Sequence, residues 1–322
     1  MSKFKIAVQC NSLGQRCGIA TYSERLTEYL NKIPDVEAKQ FVEKIRNPPD
    51  VISIQYEPGL MQPQQLQHII QKYSQPIVVT AHHMGLLQQF YPLLDGIIIH
   101  GKSQLKGMEE PWNFKVIPHP ALVFPNKDKI ELRKKYGLPL DKKIIGTMGF
   151  IAGTGKELPE IIDYFLKELK DDEFLYFATS FWKGGDFGGE EQIRQKVKAF
   201  GKENQFRLDS DFVSEEILNE RMQCCDLLFA WNKMDVPGSN SGIGMDMIGA
   251  RRKLIVKDSP HYEFVSSIGN VEIGRKGQKE FVEDTFRVLR EGDLTKVPDP
   301  TPYSWEVLTK SYLDYFKEVS GI

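Results

Sequence analysis

Apolar residues along the chain follow two alternating patterns. Short runs rich in Ile and Val, at 4–8, 51–55, 77–81 and 96–100, read as strands buried on both faces, since such strands need no polar alternation. Between the first two, Gly18 is followed by Ile19, Tyr22, Leu26, Tyr29 and Leu30, a spacing that builds one face of a helix. A second helix is expected at 64–73, opened by Pro63. The pattern then breaks at Val116-Ile117-Pro118-His119-Pro120 and the polar stretch 125–129, where prolines forbid a regular helix and mark a linker. It restarts with strands at 143–149, 173–179, 226–230 and 253–256 and helices at 156–169, 190–200, 215–223 and 276–290. A last amphipathic helix, 304–319, follows an extended spacer of three prolines, with Ser304 as its cap and Trp305, Leu308, Tyr312, Tyr315, Phe316 and Val319 on one face.

This alternation predicts an α/β chain of two doubly wound domains. The expected division is 1–122, completed by the tail helix 304–322, and 123–303. A length of 322 residues suits two domains, and 41% hydrophobic with 27% charged residues supplies two cores. A formal net charge of −2 and the absence of a long basic tract give no sign of a dedicated nucleic-acid or anionic-membrane binder. Four cysteines, Cys10, Cys17, Cys224 and Cys225, have no zinc-type spacing and read as reduced thiols. With no apolar stretch near membrane-spanning length, the expected location is cytoplasmic.

Ligands of doubly wound sheets bind beyond the carboxyl ends of the strands, so the chemistry is sought there. Gly18 stands where the first strand turns into a helix, and a glycine there lets the backbone approach a phosphate. His82 and His83 end the strand 77–81, and adjacent strand residues face opposite ways, so one of them, His82, is the candidate. Gly149-Phe150-Ile151-Ala152-Gly153-Thr154-Gly155-Lys156 fails the Walker A pattern, because Glu157 replaces its Ser or Thr, yet Lys156 in a glycine-rich loop suits a diphosphate. The segment Pro237-Gly238-Ser239-Asn240-Ser241-Gly242 offers small residues for a second anion cradle, with Asp246 placed to bond ribose hydroxyls. Asp209-Ser210-Asp211 matches the DxD metal motif but reads as a solvated turn, and no metal site is expected.

Taken in order, these segments resemble the family-four retaining glycosyltransferases, over nearly the whole chain. Cys17-Gly18-Ile19-Ala20-Thr21-Tyr22 is similar to that family's first glycine loop, Gln55-Tyr56-Glu57-Pro58-Gly59 to its Gln-x-Glu-x-Gly segment and Thr80-Ala81-His82 to its Thr-Leu-His strand end. Val116-Ile117-Pro118-His119 looks like the opening of its linker, Phe212-Val213-Ser214-Glu215-Glu216 like its base-side segment, and Trp305 with the tail helix like its crossover. Asp246 falls on the second acid of the Glu-x7-Glu element. Three positions depart: the first acid of that element is Gly238, an arginine of the phosphate loop is Phe150, and the glycine after the lysine is Glu157.

The resemblance implies the GT-B architecture, two Rossmann-like doubly wound domains facing a cleft. It implies metal-independent transfer of a sugar, with retention, from a nucleoside-diphosphate donor that is UDP- or GDP-linked and serves as substrate, with no cofactor. His82 and Lys156 are the implied catalytic residues. Gly18, Lys156, Phe212, Val213, Ser239, Ser241, Gly242 and Asp246 would hold the donor, with Gln55, Glu57 and His83 on the acceptor or sugar side. The acceptor is not indicated; a modified base in bacteriophage DNA stays open. Alternatives are a sugar-nucleotide epimerase or hydrolase of the same architecture and an inactive nucleotide-sugar-binding protein. A nicotinamide dehydrogenase would need a full GxGxxG, which Gly14 and Gly18 do not form.

Overall fold

A computed structural model of the chain describes residues 3–15, 17–107, 109–111, 113–151, 158–181, 189–233 and 238–322. In chain order the elements are β1 Phe4–Gln9, α1 Gly18–Asn31, β2 Val36–Phe41, β3 Val51–Tyr56, α2 Pro63–Lys72, β4 Ile77–Ala81, β5 Gly96–Ile99 and β6 Phe114–Val116. They continue with α3 Lys129–Tyr136, β7 Lys143–Ile151, α4 Leu158–Glu168, β8 Glu173–Phe181, α5 Gly189–Ala199, β9 Phe206–Asp209, α6 Glu215–Gln223 and β10 Leu227–Ala230. The chain ends with α7 Gly242–Gly249, β11 Lys253–Lys257, α8 Glu263–Ser266, β12 Val271–Gly274, α9 Gln278–Glu291 and α10 Trp305–Ser320.

Two units emerge, one comprising Met1–Pro120, Val236–Asn240 and Thr301–Ile322, the other Ala121–Asp235 and Ser241–Pro300. Each holds a six-stranded sheet in which every ladder is parallel, ordered β2-β1-β3-β4-β5-β6 in the first unit and β12-β11-β10-β7-β8-β9 in the second. Strand order reverses between β1 and β3 in one sheet and between β7 and β10 in the other. Beyond the carboxyl ends at these switch points lies the natural ligand position of each Rossmann-like unit.

Buried Ile and Val from β3, β4 and β5 form the first core with Tyr56, Leu66, Ile69 and Phe90. The second core is aromatic: Phe165, Phe177, Phe229, Phe281 and Phe286 are buried together, with Phe165 and Phe229 stacked at 4.6 Å. Burial of each such side chain contributes roughly 1.5–3 kcal/mol. Helix α10 packs on the first unit, where Trp305 is buried and Tyr315 Oη accepts from the Ile97 N–H at 3.2 Å. Gly96 makes room for it, since a Cβ there would stand 2.7 Å from that hydroxyl.

Strands β2, β6, β9 and β12 and helix α3 appear where the hydrophobic pattern predicts none. Asp209, expected in a turn, is the last residue of β9. Helix α3 buries only Leu132 and the charged Arg133, so it lacks an apolar stripe, yet Asp128 caps its start and Gly137, at φ +64°, its end.

Candidate functional site

The carboxyl end of β4 carries the two histidines, and the fold treats them differently. His82 still joins the sheet through its N–H to Tyr56 O at 3.0 Å. Its Nε2 lies 3.1 Å from Gln55 Oε1, while Gln55 Nε2 donates to Ser53 Oγ at 3.1 Å. That orientation leaves the Gln55 carbonyl facing the ring, so His82 carries its proton on Nε2 and presents Nδ1 as an acceptor. Nδ1 makes no hydrogen bond to any described residue.

Around His82 stands a ring cluster that the sequence pattern did not announce. Tyr22 of α1 lies 4.7 Å from the His82 ring, 5.6 Å from His100, 5.1 Å from His119 and 5.1 Å from Trp305. Its hydroxyl meets that of Tyr312 at 2.5 Å. His100 donates from Nδ1 to Ile117 O at 2.9 Å and His119 from Nδ1 to Pro120 O at 3.0 Å, which sets both tautomers. Burial is the main force keeping these imidazoles neutral; His100 and His119 further disfavour charge on His82, and His119 disfavours it on His100. His100 is pushed down to about 3, His119 to about 4, and His82 well below its usual range.

His83 serves a different element, a loop that returns from the second half of the sequence. Its Nδ1 accepts from the Gly85 N–H at 3.0 Å, and its backbone forms an isolated antiparallel bridge with Ser239. Gly238 O accepts from the Met84 N–H at 2.9 Å. The segment 238–240, expected among the donor-binding elements of the second domain, is thus held by the first unit. Gly238 has φ +119°, and a Cβ there would meet the His83 ring at 3.4 Å. L-residues rarely adopt that conformation, so a side chain at this position would be strained. Glu57, beside His83, has its carboxyl raised above the usual carboxylate range by burial.

Gly18 opens α1 with nothing within 4 Å of where a side chain would begin, so neighbouring atoms do not demand a glycine. Lys156, with Gly153 and Gly155, lies outside the described residues.

In the second unit, Ser241 caps α7: Oγ accepts from the Gly244 N–H at 3.1 Å, and its own N–H donates to His261 O at 3.1 Å. Gly242 is the first residue of that helix. Asp246 Oδ1 accepts from the Leu122 N–H at 3.4 Å, and a Cβ on Gly249 would fall 1.9 Å from Leu122 O, so α7 is glycine-rich partly to seat the incoming chain. Phe212 is 47% exposed and Val213 half-buried, just after β9. The DxD carboxylates are committed elsewhere. Asp209 takes Tyr176 Oη at 2.7 Å and Arg207 at 2.8 Å, and Asp211 takes Arg221 at 2.9 and 3.1 Å.

No family model and no curated protein matches the chain. Solved structures do. Sucrose-phosphate synthase from Thermosynechococcus elongatus aligns with a TM-score of 0.77 and 11% identity, covering 99% of this chain and 100% of that one. A glycosyltransferase from Rickettsia africae aligns at 0.72 and 10%, covering 99% of each chain. HepE of Anabaena, solved with UDP-glucose, aligns at 0.68 and 12%, covering 98% of each. At such identities the likeness defines the fold: two Rossmann-like units of the GT-B class.

Proposed function

We propose that the chain is a glycosyltransferase that moves a sugar from a UDP- or GDP-linked donor to an acceptor hydroxyl, with retention and without a divalent metal. The observation that carries this reading is the neutral His82 at the carboxyl edge of the first sheet, its tautomer set by Gln55 and its Nδ1 turned to no described partner. An uncharged imidazole so held can accept a sugar hydroxyl without bringing a charge that would oppose the positive character of the anomeric carbon. The GT-B fold, shared with HepE solved with UDP-glucose, supports the donor class. In the reaction the bond from the anomeric carbon to the diphosphate oxygen breaks. A bond to the acceptor oxygen forms on the same face, and the acceptor proton is released. Asp246 would serve the ribose, and Lys156 the charge growing on the leaving diphosphate.

A panel of nucleotide sugars tests the proposal. The matching donor at about 100 Kd should stabilise the fold by about 2.7 kcal/mol and release nucleoside diphosphate once an acceptor is supplied, with or without EDTA. Turnover without any acceptor would make the protein an epimerase or hydrolase. Tight binding with no turnover would make it a binding protein, in keeping with the glycine at 238.

A further inference from the structure

We infer that Gln104 is a positioning residue that clips the 238–240 loop to the strand ends bearing His82, a role that rests on the glycosyl-transfer reading. Gln104 sits in the short turn Lys102–Leu105 that follows β5, and it is fully buried. A buried primary amide has two donors and two acceptor positions to satisfy. Here all four are used. Nε2 donates to Ala81 O at 2.8 Å and to Gly238 O at 3.3 Å. Oε1 accepts from the His100 N–H at 2.6 Å and from Asn240 Nδ2 at 3.2 Å.

These partners leave one orientation. Two backbone carbonyls can face only the Gln104 NH2, and a backbone N–H can face only its oxygen. With the Gln104 oxygen so placed, the Asn240 atom that meets it must be the nitrogen, so the loop's own side chain is oriented in turn. Gly101 completes the seat, because a Cβ there would stand 2.9 Å from the Asn240 amide. One side chain therefore joins the residue before His82, the residue that follows β5 and two residues of the loop. Two further attachments of the loop, the Met84 N–H and the His83–Ser239 bridge, are backbone contacts that fix its course but not the Asn240 side chain.

A clip of this kind acts on the sugar side of the reaction. Misplacement of a positioning element by about 1 Å can cost roughly 10²-fold in rate. Gln104→Glu keeps the shape but presents carboxylate oxygens to two carbonyls; Asn240→Asp is the gentler partner, setting a carboxylate oxygen against Gln104 Oε1 at one contact only. With the donor found by the nucleotide-sugar panel, both variants should lose kcat, Gln104→Glu roughly 10- to 10²-fold and Asn240→Asp less. The affinity for the bare nucleoside diphosphate should stay at the wild-type value, a split that general destabilisation does not produce. Wild-type kcat in both variants, or parallel losses of kcat and nucleotide affinity, would overturn the inference and leave the glycosyltransferase reading intact. If no donor is turned over by the wild type, hydrogen exchange decides alone: the Met84 amide and residues 238–240 should exchange faster in both folded variants. Unchanged exchange would overturn the clip.

Discussion

The carboxyl edge of the first sheet and the amino edge of the second both gather ionisable side chains, and they do so in opposite ways. At the amino edge of the second sheet the buried charges Asp226, Arg133, Glu220 and Glu173 are paired. Asp226, just before β10, accepts from Arg133 at 2.6 Å, from the Ile144 N–H at 2.7 Å and from Lys129. Arg133, itself buried, also donates to Cys224 O and Lys142 O. Glu220 takes Lys127, Lys135 and Tyr136, and Glu173 at the head of β8 takes Arg290 at 2.7 and 2.9 Å. At the carboxyl edge of the first sheet, three imidazoles crowd around Tyr22 and the fold keeps them neutral instead of pairing them. A paired charge is satisfied and has nothing left to offer a substrate. A neutral imidazole with an acceptor nitrogen to spare does.

The sharpest way to break this comparison is one substitution on each side. His82→Ala should lower turnover of the matching donor, per folded molecule, by roughly 10²- to 10⁴-fold, the range of a positioned acid–base or hydrogen-bonding group. Arg133→Ala should act on stability instead. Removing one member of a buried pair leaves Asp226 uncompensated and should cost about 3–5 kcal/mol, with turnover per folded molecule unchanged. Urea titration and steady-state kinetics on the two variants check both halves. Full activity in folded His82→Ala, or a catalytic defect in folded Arg133→Ala, would dissolve the contrast.

Acid should separate the two units next. An unfolded chain protonates its histidines near pH 6.5, whereas folded His119 and His100 resist to about 4 and about 3. The unfolded state therefore binds more protons across that interval, so stability is fully present above pH 6.5 and falls as pH drops towards 4, by up to about 1.4 kcal/mol per pH unit for each histidine. In the second unit the sign comes from carboxylates. Burial raises Glu220, but hydrogen bonds from Lys127, Lys135 and Tyr136 outweigh it and hold it at about 2 against an ordinary 4.5. Its contribution is present above pH 4.5 and is lost only below. Hydrogen exchange at pH 7 and pH 5 should thus show protection falling in β4, β5 and α10 while β10 and α6 hold. Equal losses in both units would mean that the imidazoles are not kept neutral.

What the sequence made legible follows the same logic of burial. The four strands the pattern missed, β2, β6, β9 and β12, are the four sheet margins. VEAKQF, FKV, FRLD and VEIG mix charge with apolar residues because a margin is half in water, so they show neither a continuous apolar run nor a long alternation. Central strands, covered on both faces, were plain. Among candidate site residues, His82 and Gln55 were visible because a strand end and a family resemblance marked them. Gln104 was not, since a glutamine in a short turn carries no periodic signal and acquires its role only through Ala81, His100 and Gly238. His100 and His119 were equally silent, being brought to Tyr22 by the close of β5 and by a proline-bound turn. Asp128 and Gly137 did bracket α3 in the sequence, but a helix whose central buried residue is Arg133 has no apolar stripe to draw attention to them.

The smallest expected effect concerns the acids that look most like a metal motif. Asp211 is 58% exposed at its side chain and paired with Arg221, whose hydrogen bonds lower the Asp211 carboxyl. Asp209 is held by Tyr176 and Arg207. On this geometry the pair belongs with the satisfied charges of the second unit. Exposed ion pairs contribute about 0–1 kcal/mol, because water screens them and two side chains must be ordered to form them. Asp211→Asn should therefore shift stability by no more than about 1 kcal/mol and leave kcat and KM for the matching donor unchanged, with EDTA or with Mn²⁺. Arg221 keeps a second carboxylate within reach, Asp209 at 3.9 Å, so the loss is cushioned. A large fall in turnover that Mn²⁺ restores would move these acids from the satisfied side of the comparison to the chemical one, and metal-independent transfer would have to be given up.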